Sequence, residues 1–154
     1  MPILETRRVS WVDEAQCAAS AKALATRPGL RSACIELRGN LGAGKTTFAR
    51  HLLGALGVTG RVKSPTYAIM EPYALSGFEA WHFDFYRFND PQEFEDAGFR
   101  DVFASPGLKL VEWPDKAAGL LPEADLIVAI AFDANDQRDV SFTAQSALGL
   151  SLLP

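Results

Sequence analysis

Cysteine is scarce: Cys17 and Cys34 are the only two in 154 residues, far apart and without CxxC spacing. Neither a disulfide framework nor a paired-cysteine metal site is indicated, and two buried, reduced thiols of a cytosolic protein are expected. Histidine is as rare. His51 and His82 lack metal-ligand spacing to each other or to the cysteines, so no zinc site is expected and each reads as a surface or packing residue. Long apolar runs are missing too. The longest candidate, residues 126–132, is strand-sized, far short of the roughly 20 residues a membrane span needs. The opening stretch MPILETRRVSW lacks a basic region followed by an apolar run and a small-residue cleavage site, so no secretory signal is expected. Nor is there a surplus of basic charge. Fifteen Lys and Arg against 19 Asp and Glu leave a net charge of −4 and a pI near 5.1. Gripping a nucleic acid alone needs clustered cations, so any role with RNA or DNA requires a partner.

What is present is the balance of an ordinary globular domain, 48% hydrophobic and 22% charged, and the length fits a single domain over residues 1–154. Ser10 precedes residues 11–25, where Ala15, Ala18, Ala21 and Leu24 recur at helical spacing and Asp13 completes a capping box with Ser10. An amphipathic helix is expected there, ended by Pro28 and Gly29. Residues 33–37 follow as a short strand running into Gly39, and residues 46–56 read as a helix with Phe48, Leu52, Leu53 and Leu56 on one face. Beyond Gly60, VKSPTY reads as a loop. Residues 67–73 and 80–87 then form a hairpin turned by Ser76 and Gly77. Asp90, Pro91 and Glu93 announce a helix as N-cap, first and third positions, ending near Gly98. Residues 108–113 and 126–132 are apolar strands, and residues 140–143 pair with the latter across the turn DANDQ. Residues 144–154 carry no pattern. The predicted fold is α/β: a mainly parallel P-loop-type sheet with an antiparallel portion from the hairpin, flanked by helices.

The most informative segment is Gly39, Asn40, Leu41, Gly42, Ala43, Gly44, Lys45 and Thr46, which meets the pattern GxxxxGK[ST]. Glycines let the backbone turn tightly enough for successive N–H groups to face phosphate oxygens. Lys45 suits neutralisation of β and γ phosphates, the Thr46 hydroxyl suits Mg²⁺, and the helix behind adds the positive end of its dipole. A chance match in this length has a probability of roughly 0.5%. The setting between a strand and a helix lowers it further, so ATP or GTP binding is the first expectation.

Magnesium at a triphosphate needs a carboxylate besides the loop hydroxyl. Asp84 in HFDFYR and Glu112 in LVEWP lie at or near strand ends. Asp84, among phenylalanines, needs a partner, which is either an arginine such as Arg87 or a metal or water. Glu112 is either a surface carboxylate or one facing the loop. Ser64 and Thr66 in KSPTY form either a simple turn or a switch segment over the γ phosphate.

Several of these segments coincide in one family. GNLGAGKTTFAR from Gly39, VKSPTY from Val62, EPY at residues 71–73, HFDFYR from His82 and LVEWP from Leu110 together resemble TsaE (also called YjeE), the small ATPase of the bacterial machinery making threonylcarbamoyladenosine in tRNA. The resemblance spans most of residues 39–114. It implies ATP and Mg²⁺ as cofactors, nucleotide contacts from Gly39 through Thr46 and Thr47, Thr46 as metal ligand, and Asp84 and Glu112 in metal binding and hydrolysis with Lys45. It further implies a switch segment at Lys63, Ser64 and Thr66, a functionally sensitive Trp113, and a nucleotide contact from an acidic residue at the start of the first helix, nearest to Glu14. The implied partners are the transferase TsaD and its companion TsaB, whose repeated cycles ATP hydrolysis would support, with tRNA met only through the complex. One position departs: the family usually carries Asp after the first loop glycine, where this chain has Asn40. The competing readings are a P-loop small-molecule kinase, for which no Arg-rich lid is visible, and a nucleotide-dependent adaptor without hydrolysis.

Overall fold

The computed structural model describes residues 2–60 and 69–154. Among them are seven strands: β1 (Glu5–Trp11), β2 (Cys34–Arg38), β3 (Met70–Leu75), β4 (Phe78–Asp84), β5 (Leu108–Glu112), β6 (Leu126–Phe132) and β7 (Arg138–Ala144). Five α-helices accompany them: α1 (Glu14–Ala25), α2 (Lys45–Ala55), α3 (Pro91–Asp96), α4 (Phe99–Ala104) and α5 (Ala147–Leu150). All strands join one sheet in the order β1-β7-β6-β2-β5-β4-β3. The four central strands, β6, β2, β5 and β4, run parallel. β3 is antiparallel on one edge, and β7 and β1 are antiparallel on the other. Both antiparallel hairpins, β3–β4 and β6–β7, are as expected, and β1 extends the antiparallel part by one further strand.

Parallel strands covered on both faces must be apolar nearly throughout, and β5 is buried at all five positions. Side chains alternate across a strand, so each face collects its own core. On one face Ile35, Leu37, Ala80, Leu108 and Leu110 meet Phe48, Leu52 and Leu53 of α2 and Cys17, Ala21 and Leu24 of α1. On the other, Trp81, Phe83 and Val111 meet Phe94 of α3 and Phe99 of α4, with Phe83 and Phe103 stacked at 4.6 Å between centroids. Each Leu or Phe withdrawn from water here contributes about 1.5–3 kcal/mol.

The N-terminal expectation needs correcting. Ser10 and Trp11 end β1, paired with Asp139 and Arg138 of β7, and the helix begins only at Glu14. Its N-cap is Asp13, whose Oδ1 accepts the Gln16 N–H at 3.0 Å. The inward face is Cys17, Ala21 and Leu24, while Ala15 is exposed. Cys17 is buried, but Cys34 is only half-buried, and both are free thiols. Downstream, Asp90 caps α3 through Gln92 N–H and Pro91 opens it, as the sequence suggests. Gly98, left-handed at φ 73, then starts the unanticipated α4. β4 stops at Asp84 rather than Arg87, α5 occupies part of the patternless C-terminal stretch, and β6 and β7 pair across residues 133–137 as expected. No helix among the described residues is long and apolar enough to cross a membrane.

Candidate functional site

β2 delivers the chain to Gly39, and the next residues fold back on themselves, with Ala43 N–H donating to Asn40 O at 3.0 Å. Gly42 and Gly44 take φ of 81° and 115°, conformations closed to most side chains. Gly39 passes so near β6 that a Cβ there would stand 2.4 Å from the Ile130 carbonyl oxygen. The loop ends where α2 begins, at Lys45. Unbonded amides of a helix's first turn and its dipole make this an anion-seeking position.

Lys45 is folded into that loop. Its Nζ donates to Gly39 O and, at 3.4 Å, to Asn40 O, and it stands 3.9 Å from the centre of the Trp113 ring. Burial lowers its pKa below the usual lysine range, against the raising influence of Glu112, Asp84 and Asp115. Trp113 itself sits at φ 55, uncommon for a residue with a side chain, directly after β5.

Glu112 ends β5 and lies opposite Asp84, which ends β4. Alternation along the two strands turns both toward the α2 side of the sheet, where Thr46 waits in the first turn of the helix. Thr46 Oγ1 lies 3.0 and 3.1 Å from the two Glu112 carboxylate oxygens and donates to them. Asp84 Oδ1 accepts the Tyr86 N–H at 3.0 Å. Leu41, Gly42, Ala43, Gly44, Lys45, Thr46, Thr47, Asp84, Glu112 and Trp113 thus line one cavity of about 300 Å³. Gly39 and Asn40 lie at its shoulder, on a larger cavity of about 650 Å³ shared with Trp113. The larger cavity adds three carboxylates, Glu36, Asp115 and Glu123, against one guanidinium, Arg38, a balance that suits a phosphate chain poorly.

A third cavity, of about 130 Å³, joins the flank of the loop to the start of α1 and contains Glu14, Cys17, Gly44, Thr47 and Arg138. Glu14 is therefore brought to the loop, with its carboxylate 3.3 Å from His51 Nε2. Lys63, Ser64 and Thr66 lie outside the described residues.

Two residues in the site escaped the sequence reading. Arg138 Nε donates to Ala43 O at 3.0 Å and its guanidinium lies 4.0 Å from the Phe132 ring centre, so β7 props the loop from the side. His82, expected as a surface or packing residue, is wholly buried with Nε2 2.6 Å from Glu112 Oε2. Its signal lay in HFDFYR, where His82 and Asp84 share one face and the phenylalanines the other.

The donors suit a phosphate-bound cation better than a protein-only metal cage. Among the described residues no group of three or more His, Cys, Asp and Glu side chains stands ready to hold a metal. A hydroxyl and two carboxylates beside an anion cradle fit Mg²⁺, which takes its other oxygens from phosphate and water.

Residues 11–140 match the family described as "Threonylcarbamoyl adenosine biosynthesis protein TsaE". The chain belongs to the TsaE family. It is 44% identical over 119 residues to the tRNA threonylcarbamoyladenosine biosynthesis protein TsaE of Haemophilus influenzae, covering 77% of this chain and 75% of that one. The Bacillus subtilis protein of the same name is 36% identical over 132 residues, 86% and 80% of the two chains. The crystal structure of Bacillus subtilis YdiB superposes with a TM-score of 0.82 at 28% identity, over 99% of this chain and 93% of that one. TsaE membership ties the chain to threonylcarbamoyladenosine biosynthesis and agrees with the α/β sheet. The match covers β2, the loop, α2, β4 and β5, so all the residues gathered around Thr46 fall inside it.

Proposed function

We propose that this TsaE-family chain binds and hydrolyses ATP with Mg²⁺, and that hydrolysis supports repeated cycles of a TsaB–TsaD threonylcarbamoyl transferase acting on tRNA. The observation that carries this reading is the meeting of Lys45, Thr46 and Glu112 around one cavity at the head of α2. The acidic net charge supports leaving the tRNA to partners, and the two free thiols support a reducing, cytoplasmic setting.

In this reading the amides of residues 42–46 hold the phosphates, and Lys45 exchanges Gly39 O for a phosphate oxygen. Leaving a neutral carbonyl for an anion strengthens the bond to the ammonium. Thr46, whose hydroxyl donates to Glu112 in the structure, would hold the cation together with the Glu112 and Asp84 carboxylates on the opposite wall. Mg²⁺, when bound there, would supply the positive charge that phosphoryl transfer needs. One of the two carboxylates is then placed to orient the attacking water. Glu14, Thr47 and Arg138 lie beyond the loop, where the nucleoside end would extend. The family resemblance supports ATP over GTP, and the sequence carries no NKxD segment, the guanine-recognition motif.

Turnover of ATP by the isolated chain, and with TsaB and TsaD, tests the proposal. Strong stimulation by the partners, lost in Lys45→Ala, is expected. Asp84→Ala and Glu112→Ala are expected to lower turnover by about 10²-fold or more while changing ATP affinity far less. Unchanged affinity and turnover in Lys45→Ala, or phosphorylation of a metabolite by the isolated chain, would overturn it.

A further inference from the structure

We propose that His82 is a positioning residue for Glu112: its Nε2–H holds one carboxylate oxygen so that the other faces Thr46 and the phosphate cavity. This rests on the reading of Thr46 and Glu112 as groups that meet the cation and phosphates.

His82 sits on β4 opposite Leu110 of β5, two residues before Asp84, and shares the α2 face of the sheet with Asp84 and Glu112. It is wholly buried, and Glu112 is only 2% exposed. Nε2 stands 2.6 Å from Glu112 Oε2, a contact at the short limit of N–H···O hydrogen bonds to a carboxylate, which run from about 2.7 Å. A carboxylate oxygen can only accept, so the hydrogen resides on Nε2. The other nitrogen, Nδ1, is buried without a hydrogen-bond partner among the described residues. An unmet lone pair is the lesser defect, because a buried N–H with nothing to receive it is the rarer and more costly arrangement. Packing alone does not account for a histidine here. A leucine would fill comparable space and leave no polar atom unsatisfied.

The contact matters most when the site is in use. Without nucleotide, Glu112 is held on two sides, by Thr46 Oγ1 and by His82 Nε2. Once the Thr46 oxygen turns to a cation, its hydrogen no longer has to point at Glu112, and His82 is the described donor that remains. A carboxylate tethered at Oε2 presents Oε1 in one orientation. An untethered one rotates, and a group that must place a water or a cation loses its aim.

Isosteric replacement isolates that hydrogen bond. The amide nitrogen of glutamine reaches the place of Nε2, whereas that of asparagine reaches only the place of Nδ1. Turnover of ATP with partners present, its dependence on Mg²⁺ concentration, ATP affinity and thermal melting would be compared for wild type, His82→Gln and His82→Asn. The Gln variant is expected to keep most of the turnover. The Asn variant is expected to lose about tenfold or more and to need more Mg²⁺, with ATP affinity and folding little changed. Equal turnover in the two folded variants would overturn the proposal. Independently of activity, the ¹H–¹⁵N spectrum of the labelled wild-type chain without nucleotide is expected to show a slowly exchanging hydrogen on His82 Nε2. A ring with no hydrogen there would overturn it. A wild type that hydrolyses no ATP even with partners would defeat the preceding functional reading, and the imidazole spectrum would still decide this one.

Discussion

The Lys45 ammonium lies 3.9 Å from the centre of the Trp113 ring while it donates to the carbonyl of Gly39. A cation over an indole face is held by about 0.5–2 kcal/mol, depending on how far water is excluded. An incoming triphosphate competes for the same ammonium, so phosphate binding must change what the indole faces. Three tryptophans are available as reporters, Trp11, Trp81 and Trp113. Trp11 lines the cavity assigned to the nucleoside end, so the comparison is made with Trp11 replaced: adding ATP is expected to shift the emission of Trp11→Phe and to leave that of Trp11→Phe with Trp113→Phe largely unaltered. An undiminished response in that double variant would show that Lys45 does not move as proposed.

Glycines in the loop differ in why they are glycine, and substitution separates the reasons. At Gly39 a Cβ would meet the Ile130 carbonyl oxygen at 2.4 Å, so alanine forces backbone apart. A destabilisation on the order of 3 kcal/mol is expected. At Gly42 an added Cβ would meet no atom of the described residues beyond its chain neighbours within 4 Å, so among them only the φ of 81° opposes alanine. That strain amounts to about 1–2 kcal/mol. Urea unfolding of the two variants checks the order, which reverses if the loop rather than the β6 contact limits Gly39.

Much of this site was legible because the loop is local: strand, glycines, lysine and helix are consecutive, and their chemistry is written in adjacent letters. Glu112 was legible near a strand end and Asp84 as a carboxylate within the expected strand 80–87, but their meeting at two strand ends was not, since it depends on β4 stopping at Asp84 and on β4 and β5 being parallel neighbours. His82 and Arg138 were missed for the same kind of reason. A lone histidine acquires meaning only when the face it shares with Asp84 is known to meet α2, and Arg138 reaches Ala43 across 95 residues of sequence. β1 was misread because only Val9 and Trp11 of its inner face are apolar enough to show, and Ser10 with Asp13 imitates a capping box. The true cap, Asp13, lies three residues further on and binds Gln16. Tertiary pairing with β7 decided what local propensity left open.

The thiols offer a pH test of the core that does not involve nucleotide. Burial pushes Cys17 up to about 11 and, with Glu36 and Asp125 adding to it, Cys34 up to about 12, from an ordinary 9.0. A group whose folded pKa is raised stabilises the fold fully below its unfolded pKa, and that stability is lost as pH climbs through the folded value. The melting temperature is therefore expected to fall between about pH 9 and pH 11–12, and less so in Cys17→Ala with Cys34→Ala. Lys109, lowered by burial beside Cys34, acts in the opposite sense and remains in both proteins. At pH 8 both thiols are expected to react slowly with a disulfide reagent until the chain is unfolded. Fast reaction of the folded protein would contradict the burial described.

Asn40 stands where the family resemblance implies an aspartate. Its carbonyl accepts from Ala43 N–H at 3.0 Å and from Lys45 at 3.4 Å, contacts that any residue at this position makes through its backbone. The side chain is exposed and lacks a charge. Restoring aspartate is thus expected to leave folding and the phosphate grip within about twofold, because an exposed charge contributes no more than about 1 kcal/mol and salt screens it. Turnover is the sensitive quantity, since the substitution adds a negative charge to the loop whose Asn40 carbonyl meets the Lys45 ammonium. An Asn40→Asp variant that hydrolyses ATP faster than the native chain, with the difference shrinking as ionic strength rises, would show that this charge sets turnover. Equal rates at low salt would exclude it.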